Sequence, residues 1–198
     1  MSNQKTTIYN AGSMFTEAQW NTRKLEGEAL RKLFPDFEVL NPVDFDTNQA
    51  VRPTNLDIFE KDYEGLSKSK YVIIEIDGWD SGTHMEYGLM FEQALHNSNK
   101  YLFCVMSDFR VPQGLLKGEI PGFGINEMIS GSFFYPPLNQ GEVPQLIVCS
   151  SHAKAREAIK AIEDGQTQDY CQRFDKKFLY TRDDMYHGFE KNDDRKKA

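Results

Sequence analysis

The chain has 198 residues, of which 39% are hydrophobic and 27% charged, with a formal net charge of -7. That length supports one domain with a real core. The acidic balance argues against a nucleic acid polymer as partner, which would need a basic patch, and no apolar run approaches the roughly 18 residues of a membrane span.

The first strand is expected over residues 5–11, "KTTIYNA", ending at Gly12. "TEAQWNTRKLEGEALRKLF" follows as a helix capped by Thr16 and closed before Pro35, with Trp20, Leu25, Leu30 and Leu33 as its apolar stripe. "FEVLNP" is a short second strand, and residues 43–54 form a loop. "NLDIFEKDYEGLSKS" is a helix with Leu56, Phe59, Tyr63 and Leu66 spaced by three and four. "KYVIIEID" is a third strand whose continuous apolar run implies burial on both faces. A helix from about Gly82 to Asn97 and the strand "KYLFCVM" come next.

Residues 107–142 are rich in Gly and Pro. They read as a functional loop region with a short helix near 125–130. "PQLIVCSS" is the fifth strand and "SHAKAREAIKAIED" the closing helix. The order predicts an α/β fold, an open doubly wound (flavodoxin-like) five-stranded parallel sheet with flanking helices. A single α/β domain is expected over residues 1–180, with a charged C-terminal tail at 181–198.

In "MSNQKTT" no apolar core of a secretory signal is present, and Cys104, Cys149 and Cys171 form no CxxC. A cytoplasmic protein with reduced thiols is the expectation. His84, His96, His152 and His187 lack metal-ligand spacing, so no metal is expected. "YNAGSMF" is no GxGxxG or Walker loop, and no dinucleotide or other cofactor is expected.

In a doubly wound sheet, ligands bind beyond the carboxyl ends of the strands. That rule selects "DGWDSGTHMEYG", residues 77–88, after the third strand. Two readings fit Glu86. "THME" is a capping box in which Glu86 reaches back to the Thr83 amide. Alternatively, a carboxylate in the first helical turn feels the positive helix end, stays ionised and acts as a nucleophile on an anomeric carbon. Asp80 reads as a turn or cap residue, and with Asp77 it adds carboxylates that raise the proton affinity of at least one member. Asp62 sits at the edge of the second helix's apolar face. Tyr9, just before Gly12, reaches the same crevice.

"TIYNAGSMF", "EKDYEGLSKSKYVI", "DSGTHMEYG" and "INEM", in this order, resemble the nucleoside 2-deoxyribosyltransferases over roughly residues 5–130. The resemblance implies a five-stranded parallel sheet. It also implies ping-pong transfer of 2-deoxyribose between nucleobases, with Glu86 as nucleophile and a covalent deoxyribosyl intermediate. Tyr9 would orient Glu86, while Asp62 and Asp80 would hold the base and handle its proton. Asn126 would bind the sugar 5′-hydroxyl, and Met128 would enter a neighbouring subunit's pocket. Gln49 would contact the base, and Gly12 and Asp77 would border the substrate. The implied partners are small-molecule deoxynucleosides and free nucleobases, in a homo-oligomer (dimer or higher) with shared active sites. Two departures from the family stand out: a long Glu86–Asn126 interval, and a tail in which Tyr186 or Phe189 is the available aromatic.

A second reading is an N-glycosidase that hydrolyses deoxynucleosides or their 5′-monophosphates. Asp80 would repel a phosphate at close range, whereas Ser13 and Ser81 could accept one. A third is a non-catalytic nucleotide-sensing domain on the same fold.

Overall fold

The computed structural model describes residues 5–45, 53–78, 80–108, 125–141, 143–167 and 178–179. Gln49, Cys171, Tyr186, Phe189 and, within the 107–142 region, residues 109–124 and 142 lie outside them. The strands are β1 (Thr7–Ala11), β2 (Glu38–Leu40), β3 (Tyr71–Glu75), β4 (Tyr101–Val105), β5 (Leu146–Cys149) and β6 (Phe178–Leu179). The helices are α1 (Glu17–Leu33), α2 (Asn55–Lys68), α3 (Ser81–His96), α4 (Glu127–Ser132) and α5 (His152–Glu163).

The strand order is β2-β1-β3-β4-β5-β6, the flavodoxin-like order with one added edge strand. The pairings β1–β2, β1–β3 and β5–β6 are parallel. This is the doubly wound α/β sheet anticipated from the alternation of elements. The two-residue β6 was not anticipated, because its Phe-Leu pair sits in a polar, charged stretch.

The chain groups into two compact units, Met1–Leu102 and Phe103–Ala198. In the first, β1 is the central strand: Tyr9 pairs with Leu40 of β2 and Val72 of β3. Every residue of β1 is buried, as are Tyr71 to Ile74 of β3. Burial on both faces is what a continuous apolar run implies when helices cover each side. Along β1 the side chains alternate. Tyr9 points toward α2 and α3, whereas Asn10 points toward α1, where its amide donates to Glu26.

Two apolar stripes were misread. On α1 the buried residues are Arg23, Gly27 and Leu30, while Trp20, Leu25 and Leu33 are exposed. The helix lies on a polar patch around Asn10 and Asn41, so a guanidinium and a glycine face inward where hydropathy put large apolar groups. On α2 only Gly65 and Leu66 are buried; Leu56, Phe59 and Tyr63 stand 42–61% exposed. Thr16 and Thr54 both build the capping boxes that start these helices.

In the second unit, β5 is wholly buried and α5 packs Ala155, Ala158 and Ile159 inward. Cys104 and Cys149 are buried core residues, as the sequence suggested, and burial pushes the Cys104 thiol up. The short helix near 125–130 is α4.

Candidate active site

Helix α3 begins one turn earlier than a Thr83 cap would place it. Asp80 is the N-cap: Oδ1 accepts from the Gly82 amide at 2.9 Å, and Oδ2 accepts from the Thr83 hydroxyl at 2.6 Å. Of the two candidate caps in "DSGT", Asp80 prevails, because Thr83 is buried and spends its own hydroxyl on Asp80. Glu86 therefore lies in the second turn of α3, and the capping-box reading of "THME" does not hold.

The side chain of Glu86 turns instead toward β1. The buried stripe of α3 is Thr83, Tyr87, Met90 and Ala94. Glu86 is three residues after Thr83, so it borders that stripe on the sheet side. The Tyr9 hydroxyl donates to Glu86 Oε1 at 2.6 Å, and the Tyr9 hydroxyl oxygen is also 3.2 Å from Asp62 Oδ1. Three elements thus bring one phenol and two carboxyls together: the middle of β1, the middle of α2 and the second turn of α3.

Gly65 makes the arrangement possible. A Cβ on Gly65 would lie 2.8 Å from the Tyr9 ring, so α2 approaches the ring closely only because this position is bare. The sequence reading passed over Gly65. Its place one turn after Asp62, in "DYEGL", on a helix facing an aromatic strand residue, was the available signal.

The electrostatics depart from expectation. Burial pushes the Glu86 carboxyl up from its usual 4.5 to about 7; the Tyr9 hydrogen bond opposes this, and the nearby Asp62 and Asp80 charges add to it. A helix end was expected to depress it, but that effect fades beyond the first turn. Asp62 is also raised, chiefly by burial, with the Tyr9 hydrogen bond and Lys61 pulling it back. The Tyr9 phenol is raised well above its usual range by burial between two acids, so it stays a proton donor.

The turns after β1 and β3 carry the remaining candidates of this unit. Gly12 has no room for a Cβ, which would lie 2.0 Å from the Arg23 guanidinium. Gly12 thus admits Arg23, a role the sequence did not suggest. Ser13 is buried, and its hydroxyl would sit 2.8 Å from a Cβ on Gly78. Asp77 is half-buried in the turn after β3, and Ser81 is exposed. Both oxygens of Asp80 are engaged at the helix start, and its charge bears on Glu86.

In the second unit, Asn126 is the N-cap of α4, its Oδ1 accepting from the Met128 amide at 2.9 Å. Met128 is 86% exposed. Among the described residues no cluster of His, Cys, Asp or Glu is arranged to hold a metal ion, and no helix is long and apolar enough to cross a membrane.

A parallel sheet flanked by helices, with Tyr9, Asp62 and Glu86 in one hydrogen-bonded group beside it, places the chain in the doubly wound α/β class. Residues 8–139 match the family described as nucleoside 2-deoxyribosyltransferase, and the chain belongs to that family. An uncharacterized protein of Ureaplasma parvum is 30% identical over 118 residues, spanning 54% of this chain and 74% of its own. A conserved protein of Enterococcus faecalis is similar in structure, with TM-score 0.48 and 22% identity, covering 56% of this chain and 68% of its own. A 2-desoxiribosyltransferase from Leishmania mexicana is similar with TM-score 0.42 and 22% identity, covering 63% and 85%.

Proposed function

We propose that this chain exchanges nucleobases on 2-deoxyribose through a covalent deoxyribosyl–Glu86 intermediate. The observation that carries this reading is the 2.6 Å hydrogen bond from Tyr9 to Glu86 Oε1. It fixes one carboxylate oxygen and leaves Oε2 for C1′. A nucleophile must be held in attack geometry, and such positioning accounts for several kcal/mol of a barrier, on the order of 7–11 at best.

In the first half-reaction, Glu86 attacks C1′ as the bond to the base nitrogen breaks. The departing base needs a proton, and Asp62, whose proton affinity burial raises, is the donor. In the second half-reaction, an incoming base attacks C1′, Glu86 leaves, and the base yields its proton. Asp80 starts α3 and adds charge beside Glu86. For the second unit, we carry Asn126 as a ligand for the sugar hydroxyl and Met128 as an exposed apolar contact.

Incubation with deoxyinosine and adenine tests the reading. Formation of deoxyadenosine is the expected outcome, together with a deoxyribose adduct on Glu86 after acid quench. Free hypoxanthine without a new nucleoside indicates hydrolysis instead. Glu86→Ala is expected to lose on the order of 1,000-fold or more in turnover, as removal of a covalent nucleophile does. Near-normal turnover of this variant would overturn the assignment.

A further inference from the structure

We propose that the Tyr9 hydroxyl is a two-position switch that donates to Glu86 in the free enzyme and to Asp62 once Glu86 is esterified. This rests on the transfer reading above and adds to it a coupling between the nucleophile and the acid. The geometry carries it. One phenol oxygen lies within hydrogen-bond distance of both carboxyls, 2.6 Å from Glu86 and 3.2 Å from Asp62, and a phenol has one proton. It can serve only one acceptor well at a time. The ring is held: Tyr9 is 0% exposed and packs against Gly65. Switching therefore needs rotation of the O–H bond alone.

The two states differ in charge. In the attacking state Glu86 is a carboxylate, the better acceptor, and it accepts the phenol hydrogen bond. The one proton of the carboxyl pair is then on Asp62, which lacks that donor. When Glu86 bonds to C1′, the C1′–N electron pair goes to the leaving base, and the base takes the proton of Asp62. Glu86 is then a neutral ester and Asp62 an anion, so total charge is unchanged. The ester oxygen accepts more weakly than a carboxylate. The phenol O–H turns to Asp62 and stabilises the new anion. On the return step the incoming base nitrogen bonds to C1′, and the electron pair of the ester bond returns to Glu86. Asp62 takes the base N–H proton, and the hydroxyl swings back. Each half-reaction thus prepares Asp62 for the other.

The groups facing Asp62 are Tyr9 from β1, Glu86 from α3 and Lys61 on its own helix; Asp80 faces Glu86. The decisive measurement follows the Asp62 carboxyl by carbon NMR in protein with labelled aspartate, assigned with Asp62→Asn. It compares the free enzyme with the enzyme trapped as its deoxyribosyl adduct. The Asp62 titration is expected to move down by at least one pH unit, tenfold in proton affinity, on esterification of Glu86. The downshift should be clearly smaller in Tyr9→Phe.

Kinetics gives a second arm. Glycosylation by a 4-nitrophenyl 2-deoxyriboside, whose leaving group needs no proton, is compared with release of the intermediate to adenine. Tyr9→Phe is expected to slow release about tenfold more than glycosylation, and to add less than about threefold to the release defect of Asp62→Asn. An unmoved Asp62 titration, or independent multiplication of the two defects, overturns the switch and leaves Tyr9 as a positioning residue. Wild-type protein that forms no adduct at all sinks the transfer reading itself, which is a separate outcome.

Discussion

The two faces of β1 hold acidic groups under opposite conditions. Toward α1, the carboxylates of Glu26 and Glu75 meet the buried Arg23 guanidinium at 3.1 and 2.6 Å, and Asn10 links Glu26 to Asn41. Asn41 donates in turn to Asp44, which Lys24 and Arg31 also hold, and these partners keep its carboxyl down at about 2. Toward α2 and α3, Glu86 and Asp62 share a single phenol hydroxyl, and among the described residues neither makes an ion pair. The first face satisfies its charges and ties α1 to the ends of β1, β2 and β3. The second leaves its two carboxyls with one shared donor. Frustrated carboxyls cost stability and supply reactivity; paired ones do the reverse.

The largest stability effect is expected on the satisfied face. Arg23→Met leaves Glu26 and Glu75 without their shared cation and removes the donor to the Ala11 carbonyl. A loss of about 3–5 kcal/mol is expected, read as a lower urea midpoint at constant slope. On the other face, Asp62→Asn removes a carboxyl that burial already penalises, and its stability should change by less than about 1 kcal/mol. Equal losses in the two variants would break the contrast.

Gly65→Ala probes the contact that positions the unsatisfied face. In an ordinary helix interior this change stabilises by about 1 kcal/mol. Here the new methyl meets the fully buried Tyr9 ring at 2.8 and 3.0 Å, so the sign reverses. A net loss of about 1–3 kcal/mol is expected. Displacement of the phenol from Glu86 should also lower turnover more than it raises KM. A more stable, fully active variant would show that α2 can retreat from the ring.

The legible parts of the fold were those with one dominant physical cause. Continuous apolar runs gave the strands β3, β4 and β5, and Thr16 gave the start of α1, because these signals are local. The inward face of α1 was illegible, since Arg23 and Gly27 are buried by a polar network assembled from four separate segments. The start of α3 was ambiguous because "DSGT" offers two caps, and only the burial of Thr83 decides between them. That shift moved Glu86 from the first turn to the second, and burial rather than the helix end sets the direction of its proton affinity. Tyr9, Asp62 and Glu86 are separated by 53 and 24 positions, so no spacing rule joins them; the family resemblance suggested their association, and the sheet register brings it about.

The smallest effect isolates the charge on Glu86 from the chemistry. Its carboxyl holds a proton more tightly in the folded chain, about 7 against the usual 4.5. A raised carboxyl contributes stability that is fully present below its unfolded value and is lost as pH rises through the folded one. Glu86→Gln cannot ionise, keeps an oxygen for the Tyr9 hydroxyl, and escapes that loss. Near pH 5 the two proteins should therefore be about equally stable. By pH 8 the variant should be ahead by about 1–2 kcal/mol, the full shift being reduced by the partial exposure of the side chain. Thermal melts of both proteins across that interval read the difference directly. A variant that gains nothing between pH 5 and 8 would mean that the Glu86 carboxylate is already satisfied, and the contrast between the two faces of β1 would fail at its most important residue.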